Sequence, residues 1–544
     1  MRNLFIISLL LVGCALALGQ SSAEILNETV TYTISEDGAV EKQVVQRVKL
    51  HDFTAFSRFG EWFYTYNPEL EEVRIVRSVT IQPDGTEVPT PENGILDQSP
   101  YATANAPDFS FMRERMVSHV GLEPGSIIEF EFVIADRHPF RTVIFEPMGD
   151  YFPVLEKTVV FQGKVPSKVT RHGLAEKTGK NTYGVRNLPA MILADEFAAV
   201  TDMPFVYAEL RNPLSVAREL FADEANQEGI SALAGRLKLN GFHTPAEAVA
   251  AVTDMVNHRL VTVNLPAEKT GYSLRKADEI YQSGYATPLE KAFLATTLLN
   301  TFRVDHQMLV LADGVGESVL LHEPRWAVLA DYPVYPEDLS VTGERVVTLA
   351  GNAFPAPAES HCHLSLHLKE TEKNTFSGDA VLSLRNPLGN MDPHRLLPLE
   401  GAKLEKPKIR IHSLAQRTVT GQVTYTLKDG RLEMSSSALE YLRLPRLLAA
   451  LPGHTHITLP CQLKMSIHVT LDFIADRIIT CAADSAVANE AGRCEWTVRR
   501  GERSLDFAGS LDIVKTGYAT ADAAELQALL APFLSANGQV ILVE

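Results

Sequence analysis

The sequence predicts a multidomain α+β protein, and three observations carry the prediction. Over residues 24–210 short apolar stretches alternate with period two between Gly, Pro and Asp turns. From Asn212 the apolar period lengthens to near 3.6, and after Gly351 it returns to two. With 544 residues, the chain has room for three domains or more at about 150 residues each. Its 45% hydrophobic and 22% charged residues suit a chain that buries a core in each. The expected layout is a signal peptide over residues 1–22, an N-terminal β-sandwich over 23–211, a central α+β core over 212–345 and a C-terminal β-rich, sandwich-like domain over 346–544.

In the first domain, residues 30–34 alternate and stop at the turn Glu36-Asp37-Gly38, and residues 73–81 stop at Pro83-Asp84-Gly85. Residues 127–134 follow Pro124-Gly125, and residues 158–161 end at Gly163. Residues 98–107 show no period and read as a long surface loop. Trp62, Tyr64 and Tyr66 fall on one face of a strand, and core packing of that face is expected over a ligand platform. The phrases Trp62-Phe63-Tyr64-Thr65-Tyr66-Asn67-Pro68, Pro83-Asp84-Gly85 and Asn187-Leu188-Pro189-Ala190 with Glu196 resemble the domain of unknown function that often precedes transglutaminase-like cores in bacterial exported proteins.

The middle domain reads as helices over residues 214–225, 230–239, 245–258 and 274–282, then a central helix, then a strand over 304–311 ended at Asp313-Gly314. The central helix has its start written into it. Thr287 is a good N-cap, Pro288 suits the first helical position, and Glu290 stands where a capping-box carboxylate reaches back. Leu289, Ala292, Phe293 and Leu299, widened by Leu294 and Leu298, form the buried face. Thr244-Pro245-Ala246-Glu247 repeats that start in the preceding helix. Helices running into a sheet are the order of a papain-like core, and SGYATPLEKAFLATTLLN (residues 283–300) resembles the nucleophile helix of transglutaminase-like domains, a likeness covering residues 213–341. That resemblance implies a cysteine at the helix start, a His as base and an Asp or Asn to orient it. Here Pro288 fills the cysteine slot, or Ala286 under a gapped alignment, and no cysteine occurs between Cys14 and Cys362. His322 after Val319-Leu320-Leu321, with Asp331 or Asp338, are the residual candidates; Pro324 is expected to break the strand that would carry His322. Thr287 and Ser283 are poor substitutes for a thiol, because a hydroxyl needs an adjacent base and Thr287 already has a capping role.

In the last domain strands are expected over residues 361–368, 378–384, 421–427, 467–473 and 495–498, a helix over 522–533 and a final strand over 540–543, with Pro355-Ala356-Pro357 as a linker. This tail resembles the companion domain found after the same cores. Two His-x-His pairs, His361/His363 and His454/His456, each share a strand face and could offer imidazoles to a metal, yet no third ligand is spaced for it. Cys362, Leu364, Leu366 and Leu368 take the face opposite the first pair, which leaves those histidines outward. Cys362, Cys461, Cys481 and Cys494 permit disulfides or buried thiols alike; Cys481 and Cys494 flank a loop that cross-strand geometry could close.

A net charge of −17 argues against nucleic acid, which needs a basic stripe. Arg2 and the apolar run over residues 4–18, shorter than the ~20 residues of a spanning helix, read as an export signal. Cleavage after Gly19 and a lipobox, Leu11-Val12-Gly13-Cys14, stand as alternatives, the second acylating Cys14, which is the one expected route to a membrane. The sequence therefore predicts an extracytoplasmic protein, periplasmic or outer-membrane-associated in a Gram-negative bacterium. It is expected to bind or scaffold a peptide, protein or glycan without catalysis, cofactor or metal. The alternative is a peptidase or acyltransferase with a different nucleophile.

Overall fold

The computed structural model describes residues 21–137, 142–166, 168–191, 203–222, 228–238, 244–315, 318–330, 333–336, 345–349, 353–354, 359–385, 393–413, 416–433, 456–459, 462–480, 484–519, 522–534 and 540–543. The molecule is strand-rich, with several sheets and two compact units; Met203–Asn212 and the short loop Glu268–Gly271 belong to the first unit, and Pro213–Ala267 and the chain from Tyr272 onward to the second.

The first unit is built on β1 (Ala23–Ile34), β2 (Val40–Leu50), β3 (Glu71–Ile81), β4 (Ile127–Asp136), β5 (Val154–Gly163), β6 (Glu176–Lys177) and β7 (Thr182–Leu188). They lie side by side in the order β6-β7-β5-β1-β2-β4-β3, with Glu87–Pro89 added beyond β3. β1 and β5 run parallel and the other neighbours antiparallel. The β1–β2 hairpin closes at Gly38, whose φ of +91° is the left-handed conformation that glycine adopts without strain. Two three-stranded sheets share the core formed by the inner face of the large one. One holds Glu61–Tyr66, Arg113–Ser118 and Ile95–Gln98; the other holds Val169–His172, Phe205–Glu209 and Val143–Pro147. The aromatic face of Glu61–Tyr66 does pack on the core: Trp62 meets Phe130 and Phe132 at centroid distances of 5.2 and 4.7 Å. The expected loop over residues 98–107 is present beyond the strand end at Gln98; it contains the 3-10 turn Tyr101–Thr103 and runs into a second, Pro107–Phe109.

The second unit opens with α1 (Pro213–Ala222), α2 (Ile230–Lys238), α3 (Pro245–Asp254), α4 (Ala277–Ser283) and α5 (Pro288–Thr301). α3 runs on into a π-helical turn, Met255–Arg259, and Thr244 caps its start by accepting from the Glu247 amide. The helices lead into a five-stranded sheet that includes the antiparallel pair β8 (Gln307–Val315) and β9 (Ser318–Leu329). α5 buries Leu289, Ala292, Phe293, Leu298 and Leu299 completely or nearly so and packs on β9. Two expectations are corrected here. β8 passes through Asp313-Gly314 rather than ending there, and Pro324 does not break β9. The ladder explains both: Leu311 pairs with Arg325 but Asp313 with Leu320, so 321–324 bulge away from β8 and Pro324 stands where no amide is needed.

The chain then forms β10 (Glu359–Glu372), β11 (Thr375–Arg385), β12 (Lys403–Ser413), β13 (Gln416–Thr426), β14 (Gln462–Asp472), β15 (Gly492–Arg500) and β16 (Ser504–Ile513), followed by helix α6 (Ala523–Leu534) and a last strand, Val540–Val543. β12 and β16 were not expected: β12 carries charges and Pro407 along an edge, with the proline inside a bulge. The order is β15-β16-β14-β10-β11-β13-β12, with Ser485–Asn489 beyond β15 and the single parallel pair at β10–β14. Strand for strand, in chain order, spatial order and direction, this repeats the seven strands of the first unit. The linker Pro355-Ala356-Pro357 lies outside the described residues.

Cys362 and Cys494 are buried free thiols, so the Cys481–Cys494 bridge is not formed. Cys494 faces Val487 across its hairpin, whereas the strand leading to Cys481, Ile478–Thr480, belongs to a different sheet. On β10 the predicted alternation holds: Cys362, Leu364, Leu366 and Leu368 are buried, His363 is exposed, and His361 is partly so. His363 bonds Ser466 on β14. No helix among the described residues is long and apolar enough to cross a membrane.

Candidate functional site

The start of α5 is where the sequence placed its degenerate nucleophile slot, and the structure shows what occupies it. Ala286 is fully buried and its carbonyl accepts from the Val263 amide at 3.0 Å, so its backbone is tied into a short parallel bridge with Val261–Thr262. The capping box is complete: the Thr287 amide donates to Glu290 Oε2 at 2.9 Å, and the Glu290 amide donates to Thr287 Oγ1 at 3.3 Å. Pro288 has no amide to offer.

Glu290 is 1% exposed and is itself clamped. Arg275, just before α4, donates through Nε to Oε1 and through Nη2 to Oε2, both at 2.9 Å. The same guanidinium reaches the Tyr285 carbonyl at 2.9 Å and Ser283 Oγ at 3.2 Å, and stacks over the Tyr285 ring. Ser283 Oγ donates to the Ile280 carbonyl at 2.9 Å. The partial positive charge of the helix start, which in a thiolate enzyme stabilises the nucleophile, is here met by a buried carboxylate. One residue on, Lys291 is 2% exposed and its Nζ donates to the Leu260 carbonyl at 2.7 Å. Burial pushes that ammonium down to about 8. Sequence reasoning found Thr287, Pro288 and Glu290 but not Arg275, because nothing in a local pattern says which cation a buried carboxylate will meet.

The backbone of His322 lies in the bulged part of β9, between the paired residues Leu320 and Arg325. Its side chain, Asp331 and Asp338 lie outside the described residues, as do Cys14, His454, Cys461 and Cys481. No group of three or more His, Cys, Asp or Glu side chains among the described residues is placed to hold a metal ion.

A second site was not foreseen. In the first unit the inner face of β1, β2 and β4 and the strand Glu61–Tyr66 enclose a cavity of about 370 Å³. Its walls are aromatic, with Phe59, Trp62, Phe130 and Phe132, but charged groups also line it: Glu28, Lys42, Arg58, Glu61 and Asp150. His119 joins them, 8% exposed, with Nδ1 3.0 Å from Ser78 Oγ. Burial holds its imidazole neutral, down at about 4. Burial also raises the Asp150 carboxyl above its ordinary value, against the opposing backbone bond from Phe152. Beside the cavity a buried network continues the charges. Glu146, 4% exposed, takes bonds from Lys157 and Lys42 at 2.8 Å each and from the Tyr32 hydroxyl at 2.6 Å, while Lys157 also pairs with Glu28.

Comparison with known proteins bears on these sites at two levels. Residues 36–180, a stretch that contains most of the cavity wall, match the model of the family described as a domain of unknown function with solved structure, DUF3857, in agreement with the resemblance read in the first domain. Over the whole chain, the structure is similar to that of a putative protease from Parabacteroides distasonis, at 19% identity and a TM-score of 0.69, covering 96% of this chain and 99% of that one. At that identity the likeness is one of fold. An M1 zinc metallopeptidase from Deinococcus radiodurans aligns over 35% of this chain and 43% of its own, at 12% identity and a TM-score of 0.18, too low to bear on the argument. No curated protein matches the chain.

Proposed function

We propose that the chain is a non-catalytic extracytoplasmic protein that binds or scaffolds a ligand, built on a transglutaminase-like core whose nucleophile has been replaced. The observation that carries this reading is the closed start of α5. Ala286 is buried, Pro288 offers neither nucleophile nor amide, the Thr287 hydroxyl and amide are both spent on Glu290, and Glu290 is held by Arg275. An acyl-transfer site needs a nucleophile with an adjacent base and free donors for the developing oxyanion, and this helix start spends its groups on itself. Export is part of the proposal and rests on the apolar segment over residues 4–18.

A peptidase is the second reading, favoured by the fold shared with the Parabacteroides protein. It requires a nucleophile from outside α5. The two readings separate in one assay: the purified chain incubated with a broad peptide set, scored for amide hydrolysis and for amine incorporation, with and without iodoacetamide. No turnover is expected in either condition. Turnover abolished by the alkylating agent would overturn the non-catalytic reading, and so would turnover that resists it.

A further inference from the structure

The repeated sheet supplies an internal comparison for the cavity. In the second unit the inward side chains of β10, β11, β13 and β14 are apolar from Cys362 to Leu368, Phe376 to Leu384, Val419 to Tyr425 and Leu463 to Leu471. Apart from Glu370 at the end of β10, which pairs with Arg477, the same architecture is therefore stable with an oily inner face. In the first unit the corresponding face carries Glu28 on β1, Lys42 and Gln46 on β2, and Lys157 on β5, with Gln46 and Lys157 directly beside Glu28 in the two ladders. A bulge between Ile25 and Asn27 shifts the alternation of β1: Ala23 and Ile25 point inward before it, Glu28, Val30, Tyr32 and Ile34 after it. Bulges re-aim side chains in this way next to functional sites. A buried row of charges is weak or neutral for stability compared with packed apolar residues. The fold does not require this row, and it runs along the wall of a cavity.

We propose that this cavity binds a small amino-acid zwitterion, a free α-amino acid or dipeptide with an apolar side chain. The inference rests on the reading above, that the chain binds a ligand without turning it over. Three features select the ligand. Its volume of about 370 Å³ lies in the range of small-molecule sites. The aromatic wall suits an apolar side chain better than a sugar ring, because Trp62 is packed among other rings rather than standing alone as a platform: Tyr64 lies at 5.9 Å and 5°, Phe132 at 4.7 Å and Phe130 edge-on at 5.2 Å. The remaining lining offers both signs of charge. The side chains of Arg58 and Glu61 make no hydrogen bond or ion pair among the described residues, and Arg58 acts on the Asp150 carboxylate only through its charge, so a cation and two acids face one cavity without being tied to one another by a hydrogen bond. A carboxylate on Arg58 and an ammonium on Glu61 or Asp150 would satisfy them together.

Titration calorimetry on the full chain tests this, with L-leucine, L-phenylalanine and L-leucyl-L-leucine as zwitterions, N-acetyl-L-leucine and L-leucinamide as singly charged controls, and glucose as the sugar. At least one zwitterion is expected to bind saturably, one per chain, with both singly charged forms at least tenfold weaker. Arg58→Ala should weaken the zwitterion at least tenfold and leave L-leucinamide unchanged; Arg58 is exposed, and an unaltered thermal melt will show that the variant folds. Absence of saturable binding by all three zwitterions, binding indifferent to Arg58→Ala, or preference for glucose would each overturn the proposal. Chromatography of the dipeptide after titration keeps the two claims apart. Cleaved dipeptide overturns the non-catalytic reading, whereas intact dipeptide together with no binding by any of the three zwitterions overturns the ligand assignment alone.

Discussion

Glu146 gives the first unit a buried carboxylate whose protonation would weaken the fold in acid. Burial alone would raise its pKa, but the Lys157 and Lys42 ammonium groups beside it bring it down to about 2, against 4.5 for the free side chain. A carboxylate held below its unfolded value stabilises the fold above that value and loses the contribution as pH falls toward the folded one. Circular-dichroism melts should therefore show stability falling from about pH 4.5 toward pH 2. Glu146→Gln should flatten that slope and cost about 3 kcal/mol at neutral pH, the order expected when one partner of a buried pair is removed; an unchanged slope would count against the assignment. The cysteines behave oppositely. Burial pushes the thiols of Cys362 and Cys494 up to about 12 and about 11, so at pH 8 neither supplies a thiolate. Peptide mapping after iodoacetamide treatment should find both unlabelled in the native chain and labelled in denaturant.

At the scale of elements, α5 is where local sequence and tertiary structure agree most closely. Its N-cap, first-turn proline and reciprocal Glu290 were all legible because they are set by neighbours three residues apart. Thr287→Ala should cost about 1 kcal/mol in urea unfolding. Glu290→Gln should cost more, about 3 kcal/mol, since Arg275 is left buried with its charge unpaired. Pro288→Cys or Ala286→Cys should not generate amide hydrolysis, because the amide and hydroxyl of Thr287 remain committed to Glu290. What was illegible depended on partners far along the chain. Pro324 looked like a strand breaker because the bulge that accommodates it is defined by β8. The inward direction of Glu28 is not legible locally, because a one-residue bulge against β2 decides which way it points. The cavity follows the same rule: Trp62 packs on a core as its strand face implies, yet the partners that make it a cavity wall, Phe130 and Phe132, come from β4.

For the molecule as a whole, the repeat divides the acid response. Protonation of Glu146, which is held by Lys157, acts directly on β5, whereas the inward residues of β14, Leu463, Met465, Ile467, Val469 and Leu471, are apolar and the buried carboxylate of that unit, Glu370, stands at the far end of β10 paired with Arg477. After incubation between pH 4.5 and 2.5 and deuterium pulse labelling at one fixed pH, peptides from β5 should lose protection at a higher pH than peptides from β14. Simultaneous loss would mean that the two units unfold together and that the charged row does not set the limit.

The parallel seam of each sheet has a consequence for assembly during synthesis. β1 stands beside β5 and β10 beside β14, each partner arriving only after long intervening chain. Until then the first strand of each sheet offers an open ladder edge, and non-local pairings of this kind close slowly. Because the two sheets share one connectivity, a late strand can meet the wrong waiting edge within the same chain, a failure to which duplicated architectures are prone. The charges discriminate: β5 laid against β10 would press Lys157 among leucines such as Leu364 and Leu366 with no carboxylate opposite, whereas against β1 it finds Glu28. The charged row would then also serve as a proofreading mark, letting a nascent chain tell its first sheet from its second.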